Sequence, residues 1–331
     1  MSQKASIQGI YIKELCAKYP NIPNLTLAKK AYKDEPKLFS TVEHARSLIR
    51  FERGASGSIN KDKRRDKSNF KPLGWQGQLP ESLTEEAKEW KLPKAISRVL
   101  VLSDIHIPFH DSSAIQAALE YGKSKDVQAI FLNGDTLDFY QLSFHEKDPR
   151  KCSIADELEI GREFLKYLRD NFSCPIYFIK GNHEIRLERY LRLKAPELLD
   201  ISDFELKILL RFGENNITEI PYGSKVYFGK LLVEHGDKMK GSGGVNPART
   251  LLLKFKRPTL CGHFHRESEA TQRVYDGKIL KAWSSGCLCE LEPGYMPVNE
   301  WGHGATHVEV DHKTGEFIVD NFSIINGKAY K

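Results

Sequence analysis

Residues 175–184 read Pro175-Ile176-Tyr177-Phe178-Ile179-Lys180-Gly181-Asn182-His183-Glu184. The first six are an apolar, strand-like run. The last four put an amide, an imidazole and a carboxylate in a row, directly before a helical pattern that opens at Ile185. Such groups are costly to bury without partners, so at the C-terminal end of a strand they read as a ligand cluster. Four other stretches repeat the design. Val99-Leu100-Val101-Leu102 runs into Ser103-Asp104-Ile105-His106, and Ala129-Ile130-Phe131-Leu132 runs into Asn133-Gly134-Asp135. Leu231-Leu232-Val233-Glu234 runs into His235-Gly236-Asp237, and Thr259-Leu260-Cys261 into Gly262-His263-Phe264-His265. In an α/β sheet the ends of neighbouring strands converge on one rim, where ligands collect. Five polar clusters on five strand ends therefore predict one shared metal site.

The order of these clusters is D-x-H, G-D-x-x-D, G-N-H-E, a lone His and G-H-x-H, spread from Asp104 to His265. The set resembles the calcineurin-like metallophosphoesterase superfamily. Any one motif is a weak signal, but all five stand in the expected order. The resemblance implies an α/β fold, a four-layer α-β-β-α sandwich, here with a small N-terminal all-α domain. It implies that Asp104, His106 and His265 hold one divalent ion, that Asn182, His235 and His263 hold a second, and that Asp135 bridges them. His183 would face the scissile phosphate as proton donor or charge stabiliser, with Asp138 orienting it. The implied reaction is phosphate ester hydrolysis.

The chemistry is intelligible without the family. A phosphodiester is anionic and repels hydroxide, so its hydrolysis needs concentrated positive charge and a nucleophile available at neutral pH. Two divalent ions about 3.5–4 Å apart supply both, lowering the pKa of water from near 16 to roughly 7. Mixed nitrogen and oxygen donors suit Mn, Fe, Zn or Ni better than Mg or Ca and do not choose among the first four, of which Mn is the favoured expectation.

With 331 residues the chain has room for two domains, and no run approaches the ~18 apolar residues of a membrane span. No membrane partner is expected, and the polar N-terminus and six scattered cysteines without C-x-x-C are those of a cytoplasmic protein with reduced thiols. Charge is uneven. Residues 1–75 carry 16 Lys/Arg against 7 Asp/Glu, a balance of +9, which leaves −3 for the remainder of a chain whose total is +6. A basic appendage on a mildly acidic enzyme points to a polyanionic partner. The expected division is 1–53 as a basic, helix-turn-helix-like domain, 54–95 as a basic linker and wrap-around segment, and 96–331 as the catalytic domain.

Three short helices are predicted at the N-terminus. Ile12, Leu15, Cys16 and Tyr19 share one face, Asn24 is placed to cap a helix over Leu25–Tyr32, and Ser40 with Glu43 forms a capping-box pattern for the third. On that third helix Arg46, Arg50 and Arg53 fall on one stripe, a candidate nucleic-acid surface together with Lys63, Arg64 and Arg65 of the linker. A solvated face of a structural or oligomerising domain is the rival reading.

In the catalytic part, helices are expected near Ser112–Ser124, about Ile154–Asn171 and over Ile185–Lys194, with C-terminal strands at Ala270–Tyr275, Ile279–Ser284, Thr306–Val310 and Glu316–Asp320. Tyr275 to Ile279 around Asp276-Gly277 is a hairpin signal. Candidate substrate contacts are Arg186, His110, and Lys238 and Lys240 of the Gly-rich loop 238–244; His145 and Arg150 are weaker ones. Asp138 is followed by Phe139-Tyr140, not by the Arg-Gly of protein Ser/Thr phosphatases, which argues against that branch. The expected activity is a two-metal nuclease acting on DNA or RNA held partly by the basic N-terminal region. The alternative is a small-molecule or nucleotide phosphoesterase whose N-terminal domain serves oligomerisation or localisation.

Overall fold

The computed structural model describes residues 6–54, 81–82, 84, 87–144, 147–148, 150–239, 241, 244–294 and 296–331. Lys63, Arg64, Arg65, Lys240 and His145 lie outside the described residues. The chain separates into two compact units, Met1–Thr84 and Glu85–Lys331.

The first unit holds α1 (Ile7–Lys18), α2 (Asn24–Asp34) and α3 (Val42–Glu52). Ile12, Leu15 and Cys16 of α1 bury against Leu27, Ala28 and Ala31 of α2 and Ala45 and Ile49 of α3. The caps differ from expectation. Thr41, not Ser40, caps α3, its hydroxyl accepting from the His44 N–H at 3.0 Å. Pro23 occupies the cap of α2, and Asn24 is its first helical residue. Asn24 Oδ1 instead takes a hydrogen bond from Arg53 at 2.8 Å, which also donates to the carbonyls of Ile22 and Tyr19 at 2.6 and 2.7 Å. Arg53 thus ties α3 to the α1–α2 turn, and Arg46 pairs with Glu43 at 3.2 Å. Of the three arginines read as a stripe, Arg50 is the one left exposed.

The second unit is a sandwich of two sheets. One runs β13-β12-β11-β2-β3-β4-β5, from β2 (Arg98–Leu102), β3 (Ala129–Asn133), β4 (Ile176–Ile179), β5 (Ile217–Ile220), β11 (Gly304–Val310), β12 (Phe317–Ile325) and β13 (Lys328–Tyr330). The other runs β1-β6-β7-β8-β10-β9, from β1 (Glu89–Lys91), β6 (Lys225–Phe228), β7 (Leu231–Glu234), β8 (Thr259–Cys261), β9 (Ser268–Arg273) and β10 (Ile279–Ser284). The two-residue period of a strand sorts the side chains. Val99, Val101, Ala129, Phe131, Tyr177 and Ile179 point between the sheets, onto Val226, Phe228, Val233, Leu260 and Trp283. Leu100, Leu102, Ile130, Leu132, Ile176 and Phe178 point the other way, onto α4 (Ser112–Ser124), α5 (Ile154–Asn171) and α6 (Ile185–Lys194). After α7 (Leu206–Leu209), α8 (Pro247–Phe255) covers the outer face of the second sheet through Leu251 and Leu252 against Cys261 and Ala282. The result is the four-layer α-β-β-α arrangement.

β1 lies inside the stretch read as basic linker and wrap-around segment, where Glu89–Lys91 pairs in parallel with Lys225–Tyr227. β5 and β6 also went unread: both are four-residue strands with exposed or half-exposed positions, too short and too polar for a period-2 signal. The β9–β10 hairpin forms around Asp276-Gly277, where Gly277 takes φ +86°.

Candidate metal centre

β2, β3 and β4 pair in parallel, as do β7 and β8, so their C-terminal ends lie on the same side of each sheet. The chain leaves these ends sharply. Asp104, His106, Asp135, His263 and His265 all have positive φ, between 52° and 68°, a region sparsely occupied by non-glycine residues and found where surrounding structure enforces it. The glycines beside them make room. A Cβ on Gly181 would lie 2.6 Å from the Asp135 nitrogen, and one on Gly262 would lie 2.6 Å from Ser103 Cβ.

Asp135 is at the middle of the cluster. Its Oδ2 lies 3.0 Å from His235 Nε2, 3.8 Å from His183 Nε2 and 4.0 Å from His106 Nε2, and its Oδ1 accepts the His183 N–H at 2.9 Å. On one side His106 Nε2 and His265 Nε2 face each other at 3.1 Å, with Asp104 Oδ1 3.4 Å from His265. On the other, His235 Nε2 faces Asn182 Oδ1 at 3.3 Å, and His263 joins His235 and Asp135 in a second group of converging donors. All seven residues read as ligands thus meet at one rim.

The donor set fits two ions. His235 Nδ1 donates to the Asn133 carbonyl at 2.8 Å, which leaves Nε2 aimed at two oxygen acceptors. Two facing ring nitrogens, and a ring nitrogen facing two acceptors, are satisfied only by a proton or a cation between them. Asp104 Oδ1 is fully buried without a hydrogen bond, although the other oxygen accepts the His263 N–H at 2.8 Å. Burial opposes charge on His235, but Asp135 and Asp104 outweigh it and push its pKa up to about 10. His265, likewise desolvated, is raised by Asp104. Protons gather where cations would bind.

Beside this rim, Asp138 meets two imidazoles: its Oδ1 accepts from His106 Nδ1 at 2.9 Å and lies 3.0 Å from His183 Nδ1, which donates to its backbone carbonyl at 2.9 Å. It fixes the tautomer of both, turning each Nε2 toward the site. Burial works against its charge, yet those hydrogen bonds hold its carboxyl well below the usual carboxylate range. Arg186 donates to His183 Nε2 and to the Asp138 carbonyl, each at 2.9 Å. His183 is desolvated, and Asp135 and Asp138 nonetheless raise its pKa.

Other candidates fall elsewhere. His110 lines a separate cavity with Ile115, Phe164 and Tyr167. Lys238 is exposed, its Nζ 5.0 Å from the Tyr222 ring centroid, and Arg150 pairs with Asp148 at 2.9 Å.

Several contributors were not foreseen. Glu184, read in the opening stretch as part of the ligand cluster, is instead buried and accepts from the N–H groups of Asp135, Leu137 and Gly181 at 3.0, 2.9 and 2.8 Å. It clamps the turn that carries Asp135, and a Glu closing a strand–helix junction was the available signal. Glu157 of α5 accepts from the Phe139 N–H and so supports the turn after Asp138. Cys289 Sγ lies 3.9 Å from His265 Nδ1, behind the ring nitrogen that faces His106. Cys287-Leu288-Cys289 is readable in the sequence as a possible metal-binding pair, and Cys289 Sγ does converge with His106 and His265, 24 residues after the latter.

A shared carboxylate between two sets of nitrogen and oxygen donors at a sheet rim defines a binuclear hydrolase centre. The chain belongs to the calcineurin-like phosphoesterase family, whose sequence profile matches residues 97–298. It is a metal-dependent phosphoesterase. It is similar to the "Gene 54 protein" of Mycobacterium phage L5, 27% identical over 200 residues, spanning 56% of this chain and 76% of the phage protein. The corresponding protein of Mycobacterium phage D29 is 28% identical over 183 residues, spanning 51% and 69%. Among solved structures, a dimetal phosphatase from Danio rerio is similar at a TM-score of 0.37 and 10% identity, covering 68% of this chain and 96% of its own. Among the described residues, no helix is long and apolar enough to cross a membrane.

Proposed function

We propose that the enzyme hydrolyses phosphodiester bonds of nucleic acid, DNA in the first place, with manganese as the working metal. The observation that carries the hydrolytic part is the Asp138–His183–Arg186 array standing against Asp135. Asp104, His106, Asp135, Asn182, His235, His263 and His265 would hold two divalent ions, which would supply positive charge to the phosphate and a nucleophile at neutral pH. The chain's own groups do the rest. Asp138 holds a proton on His183 Nδ1, so Nε2 is the working atom. Arg186 stands at that nitrogen, where a phosphate oxygen competes for its N–H groups. Once Arg186 turns to the oxygen, His183 Nε2 is free to carry a proton to the departing alkoxide. His183 takes that proton from solvent at Nε2 once Arg186 has turned away, and passes it on as the imidazolium.

The nucleic-acid part is supported by the +9 balance of residues 1–75 against the −3 of the remainder and by the exposed Arg50 on α3. A charge separation of that kind favours a polyanion. The test is cleavage of end-labelled single- and double-stranded DNA by the manganese-loaded protein, with Asp135→Asn as blank. Cleavage by the parent alone supports the reading. No cleavage, with a small diester or a nucleotide still hydrolysed, moves the assignment to a small-molecule phosphoesterase. DNA affinity that does not fall between about 50 and 200 mM salt would remove the polyanion argument.

A further inference from the structure

A cleft opens beside the His106–His265 edge of the metal centre and encloses about 400 Å³, part of it open to solvent. Its lining includes Phe109, Tyr140, Trp301 and Pro293, with Lys151 and Glu290. Phe109 and Tyr140 meet edge to face at 5.8 Å, and Lys151 Nζ stands 5.8 and 5.7 Å from their ring centroids. Trp301 packs on the His265 ring at 4.2 Å.

These aromatics are fixed relative to the ligands by backbone. Phe109 N–H donates to the His106 carbonyl at 2.7 Å, and the Phe109 carbonyl accepts from Glu290 at 2.8 Å. Tyr140 follows Asp138 by two residues, and Gly302, next to Trp301, donates to the His265 carbonyl at 2.9 Å. All three rings are half-buried, although a phosphate and two ions need none of them. Half-exposed aromatic faces with a cation and a carboxylate at hand are the means by which proteins hold a base: stacking for the ring, a donor and an acceptor for its edge.

We infer that this cleft seats a nucleobase of the substrate, stacked on the aromatic walls while the attached phosphate lies at the metal centre. The inference deepens the nucleotide-phosphoester reading of the site and rests on it.

The test uses the full-length, manganese-loaded protein and two diesters, thymidine 5′-methyl phosphate and its abasic tetrahydrofuran analogue. The methyl leaving group keeps a second aromatic ring out of the comparison. Stacking of about 1–3 kcal/mol per base corresponds to roughly a 5- to 150-fold preference in kcat/KM for the base-bearing diester. In Trp301→Leu and Tyr140→Leu that ratio is expected to fall towards one. A ratio near one in the parent, or one unchanged in both variants, overturns the inference. Hydrolysis of neither diester counts against the nucleotide-phosphoester reading instead. The cleft is then judged by calorimetric titration with thymidine 5′-monophosphate against the abasic monophosphate. Equal affinities overturn it, and a preference that Tyr140→Leu abolishes upholds it.

Discussion

Replacing Asp138 by Asn tests the proton-handling array most directly. Asp138 Oδ1 accepts from Nδ1–H of His106 at 2.9 Å and stands 3.0 Å from Nδ1 of His183. An amide oxygen can take the same place without the charge. A hydrogen bond to a charged group is worth about 1.5–3 kcal/mol and a neutral one about 0.5–1.5, so each contact weakens by about 1 kcal/mol. The His183 Nδ1–H keeps the Asp138 backbone carbonyl as acceptor at 2.9 Å, so the tautomer survives and what is lost is the charge that keeps the imidazole protonated. Loss of a positioned acid costs about 10²–10⁴ in rate, or about 3–5 kcal/mol at 1.36 kcal/mol per decade. The expected result for a diester with an alkyl leaving group is therefore a kcat lowered at least 100-fold. For a p-nitrophenyl diester, whose leaving group needs no proton, the fall should be several-fold. Metal content measured beside the kinetics separates this effect from loss of the His106 contact. Equal losses on both substrates at full metal content would refute the role given to the pair.

Gly181→Ala puts a methyl group 2.6 Å from the Asp135 nitrogen, and overpacking of this kind costs about 1–3 kcal/mol. A lowered midpoint of denaturant unfolding together with reduced metal content is expected. Glu157 is buried, and burial is the chief cause that lifts its pKa to about 8 from an ordinary 4.5. The folded state holds that proton more tightly, so its contribution is complete below about pH 4.5 and is lost as pH rises through about 8. Glu157→Gln should flatten the fall in stability across that window, by up to about 1.4 kcal/mol per pH unit, in unfolding curves taken from pH 5 to 9. Burial opposes charge on His235 while Asp135 and Asp104 lift its pKa to about 10, so ions that bind there displace a proton. Adding manganese to chelator-treated protein at pH 8 in weak buffer should release acid and restore hydrolysis, and affinity should rise with pH.

The sequence by itself carried the strand ends, the order of the five ligand motifs and the helices at 112–124, 154–171 and 185–194. Each is a local signal: an apolar run breaking into ligand types, or a 3.6-residue period. Caps and edges were less legible. Thr41 and Ser40 are equivalent as local caps, and in the folded unit the Ser40 hydroxyl meets the His44 ring at 3.2 Å while Thr41 takes the cap. Arg53 looked like surface charge because its three acceptors, in Tyr19, Ile22 and Asn24, lie about thirty residues earlier. Tertiary structure alone decided that one carboxylate serves two histidines, that Glu184 clamps the Asp135 turn, and that Cys289 and Trp301 pack on His265. The physical reason is the same throughout. Ligand identity is written residue by residue, whereas the partners that fix proton position and cleft shape arrive from distant segments only when the two sheets close on each other.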